Sequence, residues 1–390
     1  MRISLGTTSL VFLLILLSAA LSNSTEQSTI FVLRAAQTSG FAFAAGWTAA
    51  APTINGTFVP KEWQSSVAIA FNITYNTGPR TKPGLLYVMN DADNLYLAVK
   101  VNDTDFNRGD VLEFFFDNNN TGVMTKGDDV LQYDVNALMT SQVRFFDEFL
   151  NSFGSGHMGQ AEDRAFGGRT DGMGAGSGDG QYNYFEMSHP LNSGDKGHDI
   201  SLKPGDTFGL LLRYDDDGRI GSFWPGESPG IPDYAVRAQI TLAMPPDFSI
   251  STSPANVTVQ AGNAASSSII LTSLNGFSGT VFLSADSTNL FASLDSRTVT
   301  LSNGGTGTSK VIIRPGSAVL PGTYQIRIMA VSGSTSHNAT VQTLVTAASD
   351  PRILGLSLPI FYSATGLVGV ILALAASLSF LRRKRLHFHS

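Results

Sequence analysis

The uncharged apolar run from Pro359 to Leu381 stops abruptly at Arg382-Arg383-Lys384-Arg385. One segment of this length crosses about 30 Å of hydrocarbon only as a helix, because each backbone polar group must find its partner inside the segment. The basic cluster marks the cytoplasmic side. The run therefore dictates where everything before it folds. At the other end, Arg2, the apolar stretch Leu10 to Leu21 and the small-residue site Ala20-Leu21-Ser22 read as a secretory signal peptide over residues 1–22. An uncleaved N-terminal anchor is the alternative. The expectation is a single-pass cell-membrane protein. Its N-terminal domains are extracellular, its span is 359–381, and a basic tail at 382–390 is cytoplasmic.

Composition narrows the chemistry. The chain has 25 basic and 31 acidic residues. Arg2, Arg352 and the four tail residues lie outside the exported part, while no acidic residue does, so that part is strongly acidic. Nucleic acid is excluded as a partner, since phosphate binding needs a basic face. Cysteine is absent. This removes disulfides, thiol nucleophiles, Cys-ligated zinc or iron–sulfur, and covalent c-type haem. N-x-[ST] sequons occur at Asn23, Asn55, Asn72, Asn102, Asn119, Asn256 and Asn338, all before the span, as suits a glycosylated surface protein.

Strand signals dominate. Leu95, Leu97, Val99 and Val101 alternate with Tyr96, Ala98 and Lys100, the period of a half-buried strand. Leu85 to Met89 precedes it across Asn90-Asp91-Ala92-Asp93-Asn94, which predicts a hairpin. Further strands are expected at Val111–Phe116, Val130–Val135, Tyr182–Met187, Thr207–Tyr214 and Ala235–Leu242. Asp147 to Ser152 offers at most a turn or two of helix. The glycine-rich stretch Gly154 to Gly180 cannot bury a core and reads as a mobile loop. Residues 50–243 are thus expected to form one β-sandwich. Met244-Pro245-Pro246 breaks the chain. Short strands at regular spacing over 247–346, separated by Asn275-Gly276, Asn303-Gly304-Gly305 and Pro321-Gly322, predict a second, immunoglobulin-like sandwich. The fold class is all-β with one C-terminal transmembrane helix.

The stretches "INGTFVPKEWQSSVAIAF", "LLYVMNDADNLYLAVKVND" and "DVLEFFFDNNN" resemble the family 9 carbohydrate-binding-module and DOMON-like sandwiches. The later "YFEMSHPLNSGDKGHDISLKPGDTFGLLLRYDDDG" resembles the haem-binding subunit of ethylbenzene-dehydrogenase-type enzymes, of the same superfamily. Together they cover most of Thr53 to Leu242. The resemblance implies a ligand-binding sandwich whose ligand is a sugar or a b-type haem. "DFSISTSPANVTVQAGNAASSSIILTSLNGFSGTVFLSA" resembles Ig-like modules of prokaryotic surface proteins, which imply a spacer.

Three constellations could carry chemistry. Asp117, Asn119 and Thr121, with Gly122 and Asp128, fall at positions 1, 3, 5, 6 and 12 of a calcium loop, although strands flank it; a polar hairpin turn is the alternative. A glycan on Asn119 would compete with ligation. Asp215-Asp216-Asp217-Gly218 is a weaker turn-like case. For sugar, flat aromatic faces beside polar groups are needed. Trp63 is expected in the core, Trp224 in a loop as the platform, and Tyr182 and Tyr184 near the same end. For haem b, His157, Met158, Met173, Met187 and His189 are the candidate axial ligands. Enzyme signatures fail. Gly154-x-Gly156-x-x-Gly159 lacks a βαβ context, and neither G-x-S-x-G nor H-E-x-x-H occurs. The expected function is non-catalytic binding of carbohydrate or envelope glycan, with calcium as a structural aid. The alternatives are a haem b domain of an extracytoplasmic electron-transfer system, or a structural envelope component without ligand.

Overall fold

A computed structural model describes residues 32–33, 41–77, 81–135, 144–154, 157–226, 230–348, 352–353 and 356–386. The signal peptide at 1–22 and the sequon at Asn23 lie outside the described residues. The chain divides into two compact units between Leu242 and Ala243.

The first unit contains β1 (Val32–Leu33), β2 (Ala42–Ala44), β3 (Gly46–Trp47), β4 (Val67–Thr74), β5 (Thr81–Asn90), β6 (Asn94–Val101), β7 (Val111–Asp117), β8 (Asp129–Asp134), β9 (Phe145–Gly154), β10 (His157–Glu162), β11 (Met173–Gly178), β12 (Asn183–Pro190), β13 (Thr207–Asp215), β14 (Phe223–Trp224) and β15 (Ala238–Thr241). Among the described residues, one sheet runs β1-β4-β5-β6-β12-β11 with β3 on β5. The other runs β10-β9-β8-β7-β13-β15-β2 with β14 on β13. Period-2 alternation explains how the sheets meet. Leu95, Leu97, Val99 and Val101 of β6 join Leu112, Phe114 and Phe116 of β7 in one core between the sheets. The opposite phase is buried too. Tyr96 and Ala98 pack with Tyr87, Ala68 and Met89 under Trp63 and Phe58, so residues 50–66 blanket the outer face of the first sheet. Phe115 and Leu211 pack likewise with Phe223 and Tyr234 outside the second.

The structure corrects two expectations. Asp147 to Ser152 is not helical; it belongs to β9, paired with β8 on one side and β10 on the other. Nor is the stretch from Gly154 to Gly180 a loop throughout. It supplies β10, a 3-10 turn at Asp163–Phe166, and β11. Its glycines serve close approach rather than mobility. A side chain at Gly174 would strike the Phe145 ring, and one at Gly176 the Tyr133 ring. Bare backbone here lies directly on aromatic faces.

A buried polar network joins the two sheets. Lys82 at the start of β5 reaches Asp103 at 2.6 Å and Asp216 at 2.8 Å. Tyr214 donates to Asp103 at 2.7 Å, and Asn183 donates to Asp110 at 3.2 Å. Burial pushes the fully buried Asp110 up to about 6, only partly offset by the N–H groups of Asn107 and Asp217. An acid raised in the native state keeps its proton longer than the unfolded chain does. Its contribution to stability therefore falls as pH rises from about 4 to about 6. Asp110→Asn should remove that decline. The difference in unfolding free energy between the native chain and the variant is expected to change by about 2 kcal/mol across the window. Tryptophan fluorescence during denaturation of the detergent-solubilised chain at pH 4 to 7 measures it, since Trp47, Trp63 and Trp224 all lie in the first unit.

The second unit holds β16 (Asp247–Ser253), β17 (Asn256–Gln260), β18 (Ala265–Leu274), β19 (Gly279–Asp286), β20 (Phe291–Leu294), β21 (Thr298–Leu301), β22 (Thr306–Arg314), β23 (Gly322–Ser332) and β24 (Thr335–Thr346). Sheets β16-β18-β22-β20 and β17-β24-β23-β19-β21 share one core, to which Phe248, Ile269 and Val311 come from the first, and Val281, Ile326 and Val341 from the second. Helix α1 (Leu358–Leu386) follows. Its stretch Leu358–Phe380, 23 residues of mean hydropathy 2.0, is long and apolar enough to cross a membrane. Hydroxyls within it donate to the preceding turn, Ser363 to Pro359 O at 2.7 Å and Ser377 to Ala373 O at 2.8 Å. Those polar groups are satisfied without water.

Candidate functional site

The turn between β11 and β12 presents two partly exposed aromatic rings on the first unit. Asp179 shapes it: its Oδ1 accepts from the N–H groups of Gln181 and Tyr182, both at 2.8 Å. Gly180 sits at φ 84°, where a side chain would be strained. Asp179 Oδ2 accepts from the Tyr184 hydroxyl at 2.9 Å. Strand phase then places Tyr184 on the outer face of β12, opposite Lys100 of β6. The Lys100 ammonium stands 3.7 Å from the centre of the Tyr182 ring and 5.5 Å from that of Tyr184. Behind Tyr184 the rings continue inward. Phe58 lies 5.8 Å from it, near parallel at 14°, and Trp63 lies 6.3 Å beyond, again at 14°.

Electrostatics fixes the protonation states. The N–H groups of Tyr182 and Gln181 and the hydroxyl of Tyr184 hold Asp179 below the usual carboxylate range. Burial and the bond to Asp179 push Tyr184 up to about 12, so at neutral pH it is a neutral donor. The result is a pair of partly exposed phenol rings flanked by an ammonium, a carboxylate and the Gln181 amide. Flat apolar faces ringed by hydrogen-bonding groups suit a polyol ring. The tyrosines were legible in the sequence. Lys100 and Asp179 were not singled out, although the outward phase of Lys100 in β6 was visible.

Trp224 is not beside them. Residues Phe223–Trp224 pair with Arg213 and Leu212 of β13, which turns the indole inward. It is 8 % exposed and edge-on to Phe41 at 5.2 Å. The loop platform expected there is a core residue instead. Trp63, 1 % exposed, is in the core as expected.

The expected calcium loop is arranged around a guanidinium. Asp117 accepts from the N–H groups of Thr121 at 2.9 Å and Gly122 at 2.6 Å, and its Oδ2 meets Arg237 Nε at 2.8 Å. Arg237 also donates to Asn120 Oδ1 and Asn120 O, each at 2.7 Å. Asp128 turns to the Thr125 N–H at 2.6 Å, and Asn119 is exposed. Thr121 Oγ1 lies 3.4 Å from Asp117 Oδ1, while Asp117 and Asp128 are both engaged by backbone N–H groups. The sequon residues Asn55, Asn72, Asn102, Asn119, Asn256 and Asn338 are all exposed.

The haem candidates occupy different surroundings. Met187 is fully buried in the main core. Met173 on β11 is 57 % exposed, and Met158 on β10 packs outside the second sheet near Phe115. His157 lies on β10 with its side chain outside the described residues. His189, 1 % exposed, sits among Asp129, Asp147 and Asp199.

No protein-family model matches the sequence, and no curated protein matches it. Solved structures align with it at low scores. A family 9 carbohydrate-binding module from Caldicellulosiruptor kristjanssonii, in complex with cellotriose, is 16 % identical with a TM-score of 0.33, covering 52 % of this chain and 92 % of that one. Domains 4 and 5 of the S-layer protein SbsC are 17 % identical with a TM-score of 0.20, covering 52 % and 91 %. The cupredoxin domain of amoB from Nitrosocaldus yellowstonii is 12 % identical with a TM-score of 0.21, covering 29 % and 95 %. The first belongs to the family the sequence resembles. Scores this low align no site residue, and no role passes from these proteins to this chain.

Proposed function

We propose that the chain is a single-span cell-surface protein whose first sandwich binds carbohydrate without catalysis, through Tyr182 and Tyr184. The observation that carries this reading is the pair of partly exposed rings bracketed by Lys100 and Asp179. A sugar ring stacks its C–H face on such a phenol, while its hydroxyls exchange hydrogen bonds with the ammonium and carboxylate. Helix α1 supplies the anchor, and the basic residues after Leu381 orient it with the sandwiches outside. The second sandwich serves as a spacer.

Affinity electrophoresis of the detergent-solubilised chain in gels cast with polysaccharides tests the reading. Retardation on at least one glycan is expected, and Tyr184→Ala should weaken it at least tenfold, about 1.4 kcal/mol. Tyr182→Ala should act in the same direction. Retardation on no glycan, or retardation unchanged in both variants, would overturn the proposal.

A further inference from the structure

Away from the tyrosine pair, His189 of β12 points into the sandwich in phase with Phe185 and Met187. It meets carboxylates from the opposite sheet: Asp129 of β8 and Asp147 of β9. Asp199, in the chain after β12, completes a quartet, and Asp163 stands beside Asp199. All five side chains are between 0 and 7 % exposed. Among the described residues, no lysine or arginine forms an ion pair with any of these four carboxylates.

The polar bookkeeping does not close. Asp129 spends one oxygen on the Ile200 N–H and Asp147 one on the Asp171 N–H. Asp129 Oδ1, Asp147 Oδ1, both oxygens of Asp163, both of Asp199 and His189 Nε2 are buried without a hydrogen-bond partner. Native structures carry only a few such groups, usually scattered, and here seven of them face each other. His189 supplies the second clue. Its Nδ1 lies 2.8 Å from Pro190 O, which can only accept, so the proton is on Nδ1 and Nε2 is directed at the carboxylates. Nε2 is 3.6 Å from Asp199 and 3.8 Å from Asp147, beyond hydrogen-bond reach. A charged imidazolium donating to either acid would close that gap to about 2.8 Å. Ligand atoms of the quartet all lie within 4.8 Å of one another. A cation bonded at about 2.0–2.4 Å sets opposite ligands about 4–5 Å apart.

We propose that Asp129, Asp147, His189 and Asp199 bind one divalent cation of the Mn2+ or Zn2+ kind, clamping the two sheets together at this end of the first sandwich. The imidazole nitrogen in the set favours those ions over calcium, which prefers oxygen alone. The backbone carbonyl behind Nδ1 is the outer partner that orients a metal-bound histidine.

The test uses the full chain in detergent, purified without a histidine tag, stripped with EDTA and titrated with Mn2+, Zn2+ or Ca2+. One equivalent of Mn2+ or Zn2+ per chain is expected by calorimetry, with a rise of several degrees in the thermal midpoint read by tryptophan fluorescence. Asp199→Asn and His189→Gln should each raise the dissociation constant at least tenfold. The two substitutions nearly preserve shape, so binding remains measurable if one of them fails to fold. No binding of Mn2+ or Zn2+, preference for Ca2+ over both, or an affinity unchanged in both variants would overturn the proposal. Loss of glycan retention in the tyrosine variants reads a different site, so the two proposals stand or fall separately.

Discussion

Trp63→Ala should cost the first sandwich about 4 kcal/mol, the range for truncating a fully buried tryptophan, and lower its thermal midpoint by about 10 °C. Two losses combine. The indole is 1 % exposed and fills the space between the outer face of the first sheet and the blanket of residues 50–66. Its Nε1 also donates to Glu186 Oε1 at 3.1 Å. Glu186 is itself fully buried, and its other oxygen accepts from the N–H groups of Asn55 at 3.2 Å and Gly56 at 2.9 Å. Removing the indole leaves that carboxylate with one donor fewer in a dry site, which accounts for about 1–3 kcal/mol of the total. Trp63→Phe separates the terms. It keeps most of the packing and loses the donor, so it should cost about half as much. The damage should spread to the tyrosine pair, because Phe58 lies between Trp63 and Tyr184. Denaturation of the detergent-solubilised chain, followed by the remaining Trp47 and Trp224, measures the loss. Equal stability in Trp63→Ala and the native chain would sink this account of the blanket.

The sheets were legible because alternation is local. Leu95, Leu97, Val99 and Val101 declare one face of β6, and the Asp-rich turn before them declares the hairpin, with Asp91 accepting from the N–H groups of Asp93 and Asn94. The second sandwich read equally well, since in strands such as β24 only one face is buried. What failed was set by tertiary contact. Nothing within Gly172 to Gly178 says that Phe145 and Tyr133 lie beneath it, so backbone pressed onto aromatic rings looked like a loop. Trp224 looked exposed because only its pairing with Leu212 turns it inward.

The buried acids show the same limit more sharply. Spacing rules find metal ligands that share one loop, and they pointed to Asp117 through Asp128. Asp129, Asp147, His189 and Asp199 share no loop; they meet only because β8 and β9, paired in one sheet, face β12 of the other, and the chain after β12 brings in Asp199. A signal was present all the same. His189 follows Phe185 and Met187 in the inward phase of β12, where a titratable group needs a partner.

The Asp117 turn yields the second large effect. Arg237→Ala should destabilise the first sandwich by about 3 kcal/mol. Asp117 is 1 % exposed, and Arg237 is its ion partner at 2.8 Å. The same guanidinium donates to Asn120 O and Tyr234 O, so its removal strips donors from two carbonyls as well as stranding a charge. The neighbourhood is shaped for this side chain. Gly209, opposite Asp117 across β7 and β13, leaves room where a methyl group would run into the Arg237 stem. Arg237→Lys should rescue little, because one ammonium cannot reach Asp117, Asn120 and Tyr234 together. Asp117→Asn removes the stranded charge, so the double variant Asp117→Asn/Arg237→Ala should cost less than the sum of its parts, a coupling of about 1–3 kcal/mol. Calcium gives the decisive contrast. If the turn were a cation loop, millimolar calcium would replace the lost guanidinium and restore Arg237→Ala. With the carboxylate already engaged by the Thr121 and Gly122 N–H groups, the midpoint of the variant should not move with calcium.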